Sequence, residues 1–341
     1  MGLRRNLFLI SSWLCLLPLA GCSQCGCGSG NEVVVYTSVD QVYSEPVLRR
    51  FERETGIRVR AVYDTEETKS TGVLNRLIAE ASHPRADVFW SGDPVRPYQL
   101  VKRGLIAPYR SPAADGLPSL VRPDDGTWTG FAARARVLLV NTRLVDGASL
   151  PRSLAELTAP AWRDKVAIAN PLYGTTTMHM AALASLWGQS RVQELLTALK
   201  RNGARIASSN GEVKRLVVAG EVAVGLTDTD DAHEALKGGA PVTVIYPDDE
   251  PGGTLVIPTS AVIIKGGPNP TAARRLVDYL VSAAVEEQMA KSAAHMPLRP
   301  GVPVPAGVRP VSDIKAMNVD YAAVAEQIER MQPWLRGWVG L

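Results

Sequence analysis

Past Cys27 the sequence has no cysteine: Cys15, Cys22, Cys25 and Cys27 all fall in the first 27 residues, and the remaining 314 have none. The folded body therefore contains no disulfide. Cys22-Ser-Gln-Cys25 is formally C-x-x-C, but it has neither the βαβ context of a redox pair nor the second ligand pair of a zinc site. Histidine is scarce as well. His83, His179, His233 and His295 show no H-E-x-x-H spacing, there is no G-x-S-x-G elbow, and with no Gly-Lys dipeptide the usual P-loop lysine is missing. An enzyme would have to assemble a Ser-His-Asp set by folding alone, and we read the chain as a binding protein and not an enzyme. Charge excess of either sign is also lacking. Without residues 1–21 the chain would carry 35 basic and 34 acidic residues, so nothing points to nucleic acid.

No apolar run is long enough for a comfortable membrane span, which needs about 20 residues. Leu7 to Leu19 is the candidate, interrupted by Ser11, Ser12 and Pro18, preceded by Arg4 and Arg5, with no acidic residue before Glu32. That pattern is a secretory signal over residues 1–21. It runs into Leu19-Ala20-Gly21-Cys22, which is similar to the bacterial lipobox, so Cys22 is expected to carry a lipid and to begin the mature chain. Residues 22–31, rich in glycine and serine, read as a flexible tether. The roughly 310 residues beyond exceed the ~250–300 at which single cores split, so two lobes are expected.

Along that body, strands and helices alternate. Val33–Tyr36 is a β-branched run, Glu45–Thr55 carries Val47, Leu48 and Phe51 at helical spacing, and Ile57–Val62 alternates as a strand. Helix Leu74–Ala81, strand Ala86–Trp90 and helix Tyr98–Arg103 follow. A second series begins at Val137–Val140 and runs through strand Val166–Ala169, helices near Thr176–Trp187 and Arg191–Arg201, and strand Ala204–Ala207. Ser209 with Glu212 resembles a capping box, and strands Val222–Leu226 and Val242–Tyr246 complete the series. The alternation predicts an α/β architecture with open, mostly parallel sheets. In such sheets ligands bind beyond the carboxyl ends of the strands. The residues at those ends are short and polar: Thr37-Ser38, Ser91, Asn170 to Thr177, Ser208-Ser209-Asn210 and Thr227 to Asp231.

Several stretches, namely Val35-Tyr36-Thr37-Ser38, Leu74-Asn75-Arg76-Leu77-Ile78-Ala79-Glu80, Ala86-Asp87-Val88-Phe89-Trp90-Ser91, Gly104–Tyr109 and Arg274–Leu280, resemble the periplasmic ferric-iron-binding proteins of bacterial ABC importers. The resemblance covers nearly the whole mature chain. It implies a two-lobed periplasmic-binding-protein fold of type II that closes over a small solute, with an ABC permease and an ATPase as partners. It also implies a monomer with no obligatory cofactor. The lobes are expected over 32–134 with 260–308, and over 135–259 with 309–341, with crossovers near Ala133–Arg136 and Ile257–Ala261. The ferric members bind iron through phenolates, including a Tyr-Tyr pair after a strand of the second lobe. Here the matching stretch, Gly225 to Asp231, has no tyrosine, Gly72 stands where a first-lobe acid is expected, and Asp40-Gln41 where a histidine is often found.

The residues leave two cargo chemistries open. Gly174-Thr175-Thr176-Thr177 opens a helix with small and hydroxylated residues, which serves an anion or is an ordinary helix start. Asp228, Asp230 and Asp231 cap a helix, or as hard oxygen donors hold a metal or a ligand ammonium. Glu67 and Ser70 lie in a mixed-charge loop that contacts ligand or is solvated. Tyr36 and Tyr173 end strands, lining the cleft or packing on a sheet edge, and Trp90 belongs to the core or the cleft wall. Ferric iron would take Asp228, Asp230, Glu67, Tyr36 and Tyr173, with a companion anion on Thr175–Thr177. A phosphonate, phosphate ester or carboxylate would use the same helix start directly, with Ser38, Ser70 and Ser91.

Overall fold

The computed structural model describes Gly2 and residues 31–64 and 71–341. The expected signal at 1–21, the lipidated Cys22, Glu67 and Ser70 lie outside the described residues. The body alternates as its sequence predicts: β1 (Glu32–Thr37), α1 (Gln41–Thr55), β2 (Arg58–Tyr63), α2 (Gly72–Ala79), β3 (Val88–Ser91), α3 (Val95–Lys102) and β4 (Ile106–Ala107). A long strand, β5 (Thr129–Asn141), follows. Then come β6 (Val166–Ala169), α4 (Gly174–Trp187), α5 (Gln189–Arg201), β7 (Arg205–Ala207), α6 (Asn210–Val218), β8 (Val224–Asp228), α7 (Thr229–Lys237) and β9 (Val242–Ile245). Strand β10 (Val256–Ile264) and helices α8 (Pro270–Leu280), α9 (Ala283–Ala293) and α10 (Tyr321–Val339) complete the chain. Among the described residues no helix is long and apolar enough to cross a membrane.

The strand order β2-β1-β3-β10-β5-β8-β6-β7 defines two lobes sharing one crossing strand pair. In the first lobe β1 pairs in parallel with β2 and β3. In the second, β6 pairs in parallel with β7 and β8. Between them β5 and β10 run antiparallel, β10 closing the first sheet against β3 and β5 closing the second against β8. Val88, Phe89 and Trp90 in β3, and Val137 to Val140 in β5, are fully buried, as expected of strands covered on both faces by helices. Trp90 belongs to this core, packing against Phe131 with ring centroids 5.9 Å apart. Helix α10 packs against both α3 and α4.

Where β5 crosses between lobes it carries a bulge. Pro258 faces Ala133 and Thr259 faces Phe131, so Ala132 is the extra residue, held at φ 44°. Its exposed ladder groups are both answered: the amide donates to Glu286 Oε1 at 2.9 Å, and the carbonyl lies 3.1 Å from His295 Nδ1. A bulge leaves one residue unpaired and bends its strand, and here that residue is fixed by two buried side chains.

Candidate ligand-binding site

Parallel strands end on one side of a sheet, and the helices that return from them begin there. β6, β7 and β8 therefore deliver the starts of α4 at Gly174, α6 at Asn210 and α7 at Thr229 to one place. Facing them from the first lobe are the ends of β1 and β3. Together they enclose a cavity of about 280 Å³, at the small end of ligand sites. The first lobe supplies Ser38, Val39, Asp40, Tyr43 and Gly92. The second supplies Asn170, Tyr173 to Thr176, Ser208 to Gly211, Lys214, Asp228, Asp230, Asp231 and Glu234. Arg134, Thr259 and His295 line it where the lobes meet.

Two arginines on β5 organise this cavity. Arg134 and Arg136 are two residues apart on a strand, hence on one face. Arg136 is fully buried. Its Nη1 donates to Asp228 Oδ1 at 2.5 Å, Thr175 Oγ1 at 3.0 Å and Asn210 Oδ1 at 3.2 Å, and its Nη2 donates to Thr176 Oγ1 at 3.1 Å. The Thr175 hydroxyl donates to Asp228 Oδ2 at 2.9 Å, and Asn210 Nδ2 donates to Thr175 Oγ1 at 2.8 Å and Asp228 Oδ2 at 3.2 Å. One guanidinium thus fixes the starts of α4 and α6 against the end of β8. Arg134 joins the lobes: Nη2 donates to the Gly92 carbonyl at 2.7 Å, while Nη1 lies 3.2 Å from Asp228 Oδ2 and 3.5 Å from Asp230 Oδ2.

The charges follow from these distances. Burial alone would raise the Asp228 carboxyl, but the Arg136 and Arg134 guanidinium groups hold it below the usual carboxylate range. Burial opposes the charge of Arg134, and Asp230 and Asp228 more than offset it, so Arg134 is held more firmly cationic. His295 is driven down to about 3, first by burial and then by the nearby Arg134 charge, so its ring is neutral at pH 7. The Tyr43 phenol is pushed up to about 12 by burial and by Asp230, Glu234, Asp40 and Asp231 around it.

Of the residues picked from the sequence, the structure brings Ser38, Tyr173, Gly174, Thr175, Thr176, Asp228 and Asp230 together around the cavity. Gly174 sits at φ 61°, a left-handed turn that suits glycine at the start of α4, and α4 has no side-chain cap on its first-turn amides. The threonine hydroxyls are spent on Arg136 and Asp228, so the backbone N–H groups are what this helix start offers an anion. Tyr36, Thr37, Ser91 and Thr177 lie elsewhere. Tyr36 is buried with its hydroxyl donating to Glu80 at 2.9 Å, Thr37 Oγ1 accepts from the Val39 amide, and Ser91 Oγ accepts from the Asp93 amide. Thr177 is buried one turn into α4. Their places are set by strand alternation and helix phase, which turn them into the protein. The capping box is altered too: Ser209 Oγ accepts from the Glu212 amide at 3.1 Å, but the Glu212 carboxylate reaches back to Ser208.

Sequence reasoning missed Arg134, Arg136, Lys214 and His295. A signal for the arginines was present: two cations at i and i+2 within the otherwise uncharged run Thr129–Asn141 must share a face, and a buried cation needs partners. Among the described residues no group of three or more His, Cys, Asp or Glu is placed to hold a metal ion.

Comparison with known proteins agrees with this architecture. The chain is 26% identical over 301 residues to iron uptake protein A1 of Synechocystis, covering 85% of this chain and 82% of that relative. The crystal structure of iron-bound HitA from Pseudomonas aeruginosa superposes with a TM-score of 0.82 at 23% identity, covering 91% of this chain and 99% of the other. AfuA from Actinobacillus pleuropneumoniae, described with fructose-6-phosphate bound, superposes with a TM-score of 0.79 at 21% identity over 91% of this chain and 99% of that one. Residues 84–325 match the family model described as bacterial extracellular solute-binding protein, and the chain belongs to that family.

Proposed function

We propose that this chain captures a small organic anion, of the phosphonate, phosphate ester or carboxylate class, in the cleft between its lobes and hands it to the permease of an ABC importer. In this reading it is tethered to a bacterial membrane by a lipid on Cys22, and it binds without turnover. The lobes are 32–134 with 260–308 and 135–259 with 309–341, which agrees with β5 and β10 being the strands that cross. One observation carries the ligand class: the start of α4, with no side-chain cap, meets the start of α6 across a cavity of about 280 Å³. Converging helix N-termini present unsatisfied N–H groups and positive dipole ends, which is an anion site.

Related proteins are described with iron and with a sugar phosphate, so the fold serves both cargoes and the side chains must decide. Ferric iron fits these side chains poorly. Asp228 and Asp230, its best carboxylates, already face the Arg134 guanidinium at 3.2 and 3.5 Å, and Asp228 is also bound by Arg136. A trivalent cation on those oxygens would meet two fixed positive charges. Tyr173 lines the cavity, but the Tyr-Tyr pair of the ferric members has no counterpart in Gly225–Asp231.

Calorimetry of the full chain with phosphonates, phosphate esters, carboxylates and ferric citrate tests the proposal. Gly211→Asp adds a decisive variant. A Cβ there meets only Ser209 Oγ at 3.8 Å and Asp231 Oδ1 at 3.9 Å, so the side chain has room. A carboxylate in the first turn of α6 favours the helix while occupying the anion position, so anion binding should fall at least tenfold with the fold intact. Tight ferric citrate binding that survives Gly211→Asp, with no organic anion bound, would overturn the ligand class.

A further inference from the structure

We infer that His295 sets the specificity of this cleft: it is a fixed hydrogen-bond acceptor that admits an oxyanion still carrying one acid proton and turns away an oxyanion that has none. The inference rests on the anion reading above and names which anions of that class the site takes.

The bulge of β5 decides how two polar side chains can bond. The carbonyls of Phe131 and Ala132 are consecutive, and a carbonyl can only accept. Thr259 donates its hydroxyl proton to the first at 2.8 Å, and His295 Nδ1 lies 3.1 Å from the second, so the imidazole proton sits on Nδ1. Both residues line the cavity where the lobes meet. With their protons spent, the Thr259 oxygen and His295 Nε2 have only lone pairs left. Nε2 is also unclaimed. His295 is 2% exposed, no described residue bonds to this nitrogen, and unlike both ring nitrogens of His179 it is not sealed off from the cavity. Nor does Nε2 take up a proton of its own, because burial and the Arg134 guanidinium hold the ring down to about 3. The charged groups around the ring are Arg134 on β5, held cationic; Asp228 at the end of β8, held below the usual carboxylate range; and Glu286 on α9, which accepts from the amides of Ala132, Leu298 and Arg299.

The cavity is therefore two-sided. The starts of α4 and α6 offer N–H donors, and the crossing strands offer acceptors. A phosphonate or phosphate ester that keeps one proton matches both sides, with bare oxygens for the N–H groups and a P–O–H for Nε2. A sulfonate has the same shape and charge but no proton, so one of its oxygens would face the Nε2 lone pair. A buried polar group left unpaired is what lets a site reject a close analogue. A carboxylate, deprotonated at neutral pH, is turned away for the same reason.

Alkylphosphonates and alkylsulfonates of one to four carbons, titrated calorimetrically into the full chain at pH 6, form matched pairs that differ in the acid proton. The phosphonate of the best-fitting pair should bind at least tenfold more tightly. At a pH one unit above that phosphonate's second pKa, titrations in buffers of different ionisation heat should show about one proton taken up per ligand bound. Nitrogen-15 NMR of the imidazole should show Nε2 unprotonated before and after binding, with its resonance displaced by the phosphonate, so the proton taken up is on the ligand. His295→Leu should erase the preference, and if that variant folds poorly the wild-type NMR still assigns the acceptor. Sulfonates binding as well as phosphonates, binding without proton uptake, an unmoved Nε2 resonance, an imidazolium in the complex, or a preference that survives His295→Leu would each overturn the inference and spare the anion reading. If neither series binds, both fall.

Discussion

Replacing Arg136 by Met removes a fully buried guanidinium and strands the carboxylate of Asp228, itself 1% exposed. Breaking a buried pair costs about 3–5 kcal/mol, because the remaining charge is left uncompensated. Arg134 still lies 3.2 Å from Asp228, so we take the lower end, about 3 kcal/mol. At roughly 2–4 °C per kcal/mol for a chain of this order of size, the melting temperature should drop by about 6–12 °C. The double variant Arg136→Met/Asp228→Asn should recover much of that loss, since removing both members leaves no stranded charge. A pH series separates charge from packing. The folded-state pKa of Asp228 is lowered, so its contribution is present above the unfolded value near 3.9 and is lost as pH falls through the folded value. Without Arg136 that lowering shrinks, so the gap between wild type and Arg136→Met should be full at pH 7 and should narrow below about pH 4. Urea unfolding at pH 7.0 and 3.5 measures it. A cost under 1 kcal/mol at pH 7, or an equal cost at both pH values, would refute the reasoning.

Burial, reinforced by neighbouring arginine, brings His179 and His295 down to about 3, below the unfolded value near 6.5, so the unfolded chain binds more protons and stability falls as pH drops below 6.5. Each should cost about 1.4 kcal/mol at pH 5.5 relative to pH 8, and His179→Leu should roughly halve that slope in urea titrations. A methyl group at Gly225 would lie 2.4 Å from Val213 Cγ1 and 2.8 Å from Val217 Cγ2, so Gly225→Ala should destabilise by about 1–3 kcal/mol through overpacking of α6 on β8, read as a lower urea midpoint. Cys22→Ala should move the protein from the membrane fraction to the soluble one or leave the precursor uncleaved, and normal processing with membrane retention would remove the anchor.

Much of the fold was legible because strand and helix periods differ. Val33–Tyr36 and Val166–Ala169 stand out as short apolar runs and Ile57–Val62 as an alternating one, and each coincides largely with an observed strand. The first half of β5 was not legible, since Gly130 to Arg136 is mostly alanine and arginine, with no β-branched residue to match the signature that makes Val137–Val140 obvious. The site divided in the same way. Residues that follow strands, such as Gly174 and Asp228, could be placed in the cleft by topology alone. Tyr36 and Thr177 could not be excluded from it, because whether a residue at a strand end or in a first helical turn faces ligand depends on twist and phase. His295 was invisible for a different reason: its role comes from a bulge at Ala132, 163 residues away in sequence.

The same crossing pair constrains how the chain can be assembled. Val88 of β3 pairs with Ile263 of β10, so the first lobe closes only with a segment some 175 residues further along, made after the whole α4–β9 region. Until Val256–Ile264 has emerged, β3 is an open edge and the first lobe has no partner strand on that side. Contacts so distant in sequence slow folding. A chain emerging from the ribosome therefore stays incomplete in its first lobe until the whole second series of strands and helices has been synthesised and β10 has followed it.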